Sequence, residues 1–378
     1  MKKIVIYYGA KNGYEEIIPT NIKTLTELVT EHDNRSKTFT FDKDNKTAVE
    51  VQKEKEYIEN LVAYSESYAG ITEGAVQSFI SLLSNFEIDN LYLQNPPIQI
   101  KQQFEQAFPS IIETEKYEYK TLTKEMFCEV NNTFSDKIIG QDKVKEKILV
   151  SLYPLLKNRK NKPVVIMFYG PSGVGKTQTA KFISNVLGQK IFRKQLSMYQ
   201  NVEFSNYLFG GNHFQNCFAK DLLERESNVI LLDEFDKPPS IFHSAFYQLF
   251  DEGIFEDKNY NVELHNSIII CTSNYNSEEE IRKHLGDPIY YRFDMFVKFD
   301  SLTIEALKKV IDLLVEAKIN NLEAEERKIL NIEEIKQILH SNVTKFKNVR
   351  HIDNIIEELI GIKLVENFFN NSDGVLTE

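Results

Sequence analysis

Between a buried-strand pattern, PVVIMFYG (163–170), and a helix pattern, TAKFISNVLG (179–188), the chain carries Gly170-Pro171-Ser172-Gly173-Val174-Gly175-Lys176-Thr177. This is the spacing G-x-x-x-x-G-K-[ST], and it works only at a strand–loop–helix junction. The glycines let successive backbone N–H groups turn inward around phosphate oxygens. Lys176 supplies a point charge to the β/γ oxygens, and the Thr177 hydroxyl completes a Mg²⁺ shell. The helix that starts there adds its positive dipole end. Strand and helix patterns then alternate through NVILLD and NSIIICTSN, which predicts a parallel sheet wrapped by helices.

A second apolar strand pattern, Val229-Ile-Leu-Leu-Asp233-Glu234, ends in two acids. At a strand's carboxyl end Asp233 would hold Mg²⁺, often through water, and Glu234 would polarise the attacking water. A third strand, Ser267–Cys271, runs into Thr272-Ser273-Asn274. The Asn274 amide either helps Glu234 orient that water or caps the next helix. Arg292 lies in DPIYYRFDMFVKF and Arg350 in KNVRHIDNII. An arginine at a subunit edge reaches a neighbour's γ-phosphate, and one in a small domain closes it over bound nucleotide. Each is otherwise a surface salt bridge.

At 378 residues the chain exceeds one ordinary core. Three units are expected: a small α/β module over 1–122, a nucleotide-binding domain over 123–300, and a small helical domain over 301–378. In the first, Lys2–Tyr8 and IDNLYLQNPP (88–97) read as strands. Thr47–Tyr68, Thr72–Ser84 and IKQQFEQAF (100–108) read as helices, and Glu113–Lys124 as a connection. Gly9-x-x-x-Gly13 lacks a following Lys-Ser/Thr and reads as an ordinary turn. The pattern after Phe299 is helical, and the tail SDGVLTE (372–378) is expected to fray.

A net charge of -11 disfavours a broad nucleic-acid footprint. Three scattered cysteines, Cys128, Cys217 and Cys271, suggest reduced thiols and a cytoplasmic protein. The apolar run IVIYY is too short for a signal-peptide core, and no segment is long enough to span a membrane.

Taken together, the motifs resemble the AAA+ ATPases, most closely the second ATPase module of the Clp disaggregases and unfoldases, with torsins a more distant branch. IIGQDKVKEKI resembles the family's Gly-Gln segment, which implies that Ile138 and Ile139 flank adenine. LLDEFDKPPSIFHSAFYQLFDEGIFED, NSIIICTSN, RFDMFVKFDSLT and VRHIDNII are similar to the acidic motif, the sensor-1 strand, the arginine-finger segment and the sensor-2 helix. The resemblance implies ATP and Mg²⁺ as cofactors, a homo-oligomeric ring, a hexamer, and Arg292 acting in trans. It implies an ATP hydrolase that remodels a protein partner recognised by residues 1–122. A nucleotide-controlled assembly or signalling switch is the alternative, and a nucleic-acid loader a more distant one. Two departures stand out. The Clp Gly-Tyr-Val-Gly loop is replaced by YLFGGNHFQNCFAKDLLE (207–224), where only His213 and Phe214 are candidate grips, with burial of Phe214 as plausible. Tyr291 stands where the family has Asn before the arginine.

Overall fold

Continuous apolar runs are the mark of strands buried on both faces, and they organise two separate parallel sheets in this chain. The structure, a computed structural model, describes residues 1–36, 55–157, 162–198, 202–346 and 348–372. The first sheet comprises β1 (Lys3–Tyr8), β2 (Lys23–Thr24), β3 (Glu56–Ala63), β4 (Phe86–Gln94) and β5 (Ile112–Lys116). Their order is β2-β3-β4-β1-β5, and every ladder is parallel. Helices Lys11–Ile17, Leu25–Ser36 and Ile98–Ala107 accompany it.

Three expectations change in this module. Within the span expected to be helical, Thr47–Tyr68, residues 56–63 form β3, while residues 47–54 lie outside the described residues. Ile58, Leu61 and Val62 mimic helical i, i+3, i+4 spacing, but Leu61, Val62 and Ala63 are consecutively buried because helices cover both faces of the sheet. The expected connection 113–124 begins with β5, an edge strand whose Glu113, Glu115 and Lys116 face solvent. Charged residues are how an exposed edge is kept from pairing with other chains, and they hide its strand character. The expected helix over 72–84 is two short helices, Glu73–Gln77 and Phe79–Leu83, parted at Ser78.

The second sheet comprises β6 (Val164–Tyr169), β7 (Phe192–Gln195), β8 (Val229–Asp233), β11 (Ile268–Thr272) and β12 (Met295–Lys298). An antiparallel hairpin, β9 (Ile254–Glu256) and β10 (Asn261–Glu263), stands apart from it. The order is β12-β6-β11-β8-β7, again all parallel. β6, β8 and β11 are buried along their whole length, which places one core on each face of the sheet. Helices Lys124–Lys137 and Asp142–Leu156 pack on the second of these cores through Val130, Phe134, Ile148 and Leu152.

After β12 the chain is helical. Ile304–Asn320, Ala324–Ile329, Ile332–Ser341 and Val349–Ser372 gather Ile311, Val315, Ile335, Leu339, Ile352 and Ile356 into their own core. Thr303 and Asn331 cap two of these helices, and Glu323 with Glu326 forms a capping box on a third. The tail expected to fray lies, from residue 373, outside the described residues. Among the described residues no helix is long and apolar enough to cross a membrane. All three thiols are free; Cys217 and Cys271 are buried, and Cys128 is exposed.

The first sheet meets the second module at the hairpin. Ile98 N–H donates to the Asn259 carbonyl at 2.8 Å, and Lys116 pairs with Glu263 at 2.8 Å.

Candidate nucleotide site

Parallel strands deliver their carboxyl ends to one edge, and the loops there are where this fold builds sites. β6 ends at Tyr169, and the helix Lys176–Val186 begins six residues after Gly170. Three glycines of the loop have positive φ: Gly170 at 131°, Gly173 at 77° and Gly175 at 104°. The last is the N-cap, and no side chain caps this helix, so its first amides remain available to an anion. A Cβ at Gly170 would fall 2.2 Å from the Phe299 carbonyl oxygen, so this position admits only glycine.

Lys176 is buried at 8% exposure. Its Nζ donates to the carbonyls of Gly170 at 2.5 Å and Pro171 at 2.7 Å, and to Asn274 Oδ1 at 3.1 Å. Burial pushes the ammonium down to about 8. Asp236 and Asp233 pull it back up, and the nearby Arg350 guanidinium lowers it. Thr177 follows, half-buried, on the helix's first turn. Loop, lysine and uncapped helix together fit a polyphosphate, and Thr177 with Asp233 fits the hard oxygen donors that Mg²⁺ takes.

Asp233 ends β8 with 6% exposure. Its Oδ1 accepts from Thr272 Oγ at 2.5 Å, and its Oδ2 accepts from Arg193 Nε at 3.0 Å and Nη2 at 2.5 Å. The same Thr272 oxygen accepts the Glu234 N–H at 2.9 Å. Glu234 sits at φ 56°, a left-handed conformation that costs a non-glycine residue about 1–3 kcal/mol. Phe235 N–H, donating to the Thr272 carbonyl at 2.8 Å, pins the other side of this turn. One buried threonine thus orients both acids.

The structure also locates the remaining predicted residues. Ile138 is buried and lies 3.9 Å from where a Cβ on Gly175 would stand, and Ile139 beside it is half-buried. Between that segment and the loop stands buried Gln141, whose Nε2 donates to the Val174 carbonyl at 3.2 Å and to that of Asp300 at 2.8 Å. Asn348 and Val349 crowd Gly173, so the start of the last helix, and with it Arg350, lies over the phosphate loop. Ser172 is exposed.

Arg292 is not in this cluster. It precedes β12, and Asp294 N–H donates to the Val165 carbonyl at the beginning of β6. Arg292 therefore stands at the amino-terminal edge of the sheet, opposite the phosphate loop and about 15–20 Å away by the strand's rise. Its Nε pairs with Asp251 at 2.7 Å, an Nη donates to the Pro288 carbonyl, and the guanidinium lies 4.3 Å from the Tyr247 ring centre.

The candidate grips separate. His213 is buried, its Nε2 2.8 Å from the Ile71 carbonyl of the first module, while Phe214 is 54% exposed, contrary to the burial weighed for it. Gly210 is pressed against Lys258 and Asp257, so the segment is anchored at its base.

Four residues escaped the sequence reading: Thr272, Arg193, Gln141 and Asp236. The side chain of Asp236 is 4% exposed and carries an unpartnered Oδ1. Its signal was present in DEFDK, as a third acid after the strand.

Comparison with known proteins gives a consistent picture. A family model described as AAA domain (Cdc48 subfamily) matches residues 161–341. The chaperone protein ClpB of Malacoplasma penetrans is 27% identical over 273 residues, covering 64% of this chain and 37% of that protein. The ATP-dependent Clp protease ATP-binding subunit ClpL of Staphylococcus aureus is 29% identical over 215 residues, covering 50% of this chain and 30% of that protein. The chain thus spans about a third of the length of these curated relatives. Among solved structures, a closed-state reconstruction of Hsp104 with ATPγS and FITC casein aligns with 98% of this chain and 89% of its own, at TM-score 0.58 and 13% identity. The Saccharomyces cerevisiae Hsp104–ADP complex aligns with 66% of this chain and 40% of its own, at TM-score 0.54 and 19% identity.

Proposed function

Residues 161–341 form an AAA+ ATPase domain of the Clp type, and from that premise we propose that the chain hydrolyses ATP at Lys176 and uses the cycle to remodel a protein partner engaged through residues 1–122. The observation that carries the site is the convergence on one sheet edge of Lys176 bonded to Asn274 and of Asp233 and Glu234 joined by the Thr272 hydroxyl.

Lys176 exchanges its loop carbonyls for phosphate oxygens, a move its three rotatable donors allow. Thr177 and Asp233 would hold Mg²⁺, which supplies charge neutralisation across the β- and γ-phosphates. Arg193 shares Asp233, so the acid's charge is partly met before a cation arrives. Glu234 accepts a proton from the attacking water; its backbone is left-handed and its Oε2 lies 3.5 Å from Gln195 Nε2. Asn274 helps orient that water. Arg350, above the loop, senses phosphate charge and couples it to the helical region, and Ile138 with Ile139 flanks the base. Arg292, on the far edge of the sheet, acts on the nucleotide of a neighbouring copy in a ring, a hexamer.

A second reading, a switch in which ATP drives assembly or shape change without threading, is favoured by one observation. The segment that would project a pore loop is tied down, with His213 bonded to the first module and Gly210 wedged at the hairpin. Phosphate release and light scattering with ATP test the common core of both readings. ATP-dependent unfolding of an unrelated tagged globular protein separates them: unfolding favours threading, and ATPase without unfolding favours the switch.

A further inference from the structure

The two sheets of this chain are the same sheet. Numbering strands within each module, the first reads fifth-first-fourth-third-second (β5-β1-β4-β3-β2) and so does the second (β12-β6-β11-β8-β7), with every ladder parallel. The agreement extends to single residues. Tyr7 pairs with Gln94 as Phe168 pairs with Thr272, and Tyr8 pairs with Lys116 as Tyr169 pairs with Lys298. Past the strand ends, Tyr117 N–H donates to the Tyr8 carbonyl at 2.8 Å, and Phe299 N–H to that of Tyr169 at 2.8 Å. Asn95 N–H donates to the Tyr7 carbonyl at 2.8 Å, and Ser273 N–H to that of Phe168 at 2.9 Å.

The registers β3–β4 and β8–β11 then set Tyr64 in the place of Asp233 and Ser65 in the place of Glu234. A side-chain bond repeats there too. Gln94 Oε1 accepts the Ser65 N–H at 3.2 Å, as Thr272 Oγ accepts the Glu234 N–H at 2.9 Å. Gly9 stands where Gly170 stands, closing IVIYYG as Gly170 closes VIMFYG. A Cβ on Gly9 would lie 2.2 Å from the Tyr117 Cβ, just as one on Gly170 would strike Phe299.

What the first module lacks is the phosphate cradle. Its helix begins at Lys11, two residues after Gly9, where the second module allows six. No room remains for a loop of inward-turned amides. The Gly170 carbonyl is met by Lys176, but that of Gly9 is met by the Gln94 and Asn95 amides, each at 3.0 Å. The space over the strand ends is filled by aromatic rings. Tyr14 is fully buried, 5.5 Å from Tyr7 and 5.6 Å from Tyr64 between ring centres, and its hydroxyl donates to the Ala63 carbonyl at 3.3 Å. A Cβ on Gly13 would lie 2.2 Å from the Tyr7 hydroxyl and 2.6 Å from the Tyr117 ring. Neither acid of the second module has a carboxylate counterpart.

We infer that residues 3–117 are a second ATPase-type fold whose nucleotide site is closed by tyrosines, so that each chain binds one nucleotide, at Lys176. The module is a nucleotide-silent body, bonded to the hairpin and to His213, that is carried by the movements of the active domain. This rests on the nucleotide reading of Lys176 given above.

Titration calorimetry of the full chain with ATPγS and Mg²⁺ tests it, paired with photolabelling by 8-azido-ATP and peptide mapping. The expected result is one nucleotide per chain in the wild type and none in Lys176→Ala, with no labelled peptide from residues 1–122. Two per chain, a site surviving in a folded Lys176→Ala, or label on residues 9–16 would overturn the closed site. Zero on the wild type would overturn the assignment of Lys176 and, with it, the count of one.

Discussion

Thr272→Val is the most informative small change in this protein. Valine keeps the shape of threonine and removes one hydroxyl, here on a residue only 2% exposed. That oxygen donates to Asp233 at 2.5 Å and accepts from the Glu234 N–H at 2.9 Å. Each buried group left unpaired costs about 1–3 kcal/mol, the charged one towards the upper end. Arg193 still holds the other Asp233 oxygen, which puts the loss of folding stability at roughly 2–4 kcal/mol. For turnover, the Glu234 turn keeps the Phe235 N–H bond to the Thr272 carbonyl, the Lys237 N–H bond to the Glu234 carbonyl and a long contact from Gln195 to the Glu234 carboxylate, against a backbone strain of about 1–3 kcal/mol. A carboxylate released from its aim should lower kcat by roughly 10–100-fold, at about 1.4 kcal/mol per decade. Nucleotide affinity should change less than about threefold, because the Lys176 loop is untouched, and Thr272→Ser should restore most of the rate. Steady-state phosphate release with a fluorescent-nucleotide titration measures both. A folded Thr272→Val with kcat within about twofold of wild type would refute the role given to the hydroxyl; an equal loss of affinity would show it to be structural only.

Lys176→Ala should abolish nucleotide binding in the same titration, since it removes the charge facing the phosphates. Nucleotide affinity should weaken as pH rises through about 8, where free Lys176 loses its proton, by about tenfold per pH unit until the higher value of the complex is reached; titrations from pH 7 to 9.5 would show it. The sign for stability is opposite, because between about 8 and 10.5 the unfolded lysine holds more protons than the folded one, so the nucleotide-free protein gains stability with rising pH in that window. Arg193→Met should lower the Mg²⁺ concentration for half-maximal ATPase severalfold, by releasing Asp233 from its cation. Arg292→Ala subunits should bind ATP without hydrolysing it, and mixing them with Lys176→Ala subunits should restore some turnover; no rescue in co-assembled mixtures would place Arg292 in a structural role.

The central strands β6, β8 and β11 were legible because their chemistry is local in sequence; the short, partly exposed edge strands β7 and β12 were not. A glycine loop, two acids and a polar turn each follow an unbroken apolar strand, so strand ends and site residues announce each other. What bonds them across the sheet was not legible. Thr272 and Asp233 are 39 positions apart, and Arg193 comes from an edge strand with an ordinary basic pattern. The first module hid its nature twice. β3 carries helical spacing by accident of burial on both faces, and β5 is charged because it is an edge. With β2 missed as well as those two, the repeated strand order was invisible, and Gly9-x-x-x-Gly13 read as a turn although Gly9 keeps the backbone position of a phosphate-loop glycine. Helix Lys124–Lys137, capped by Thr123, was unassigned in the sequence reading, its apolar residues falling between two charged ends.

Single-turnover hydrolysis by Glu234→Gln tests the central claim most directly. Glutamine keeps the size of the side chain and removes its capacity to take a proton from water. With radiolabelled ATP, Mg²⁺ and excess protein, the variant should bind nucleotide as wild type does and hydrolyse it about a hundredfold or more slowly. Hydrolysis at the wild-type rate, with binding intact, would contradict the account.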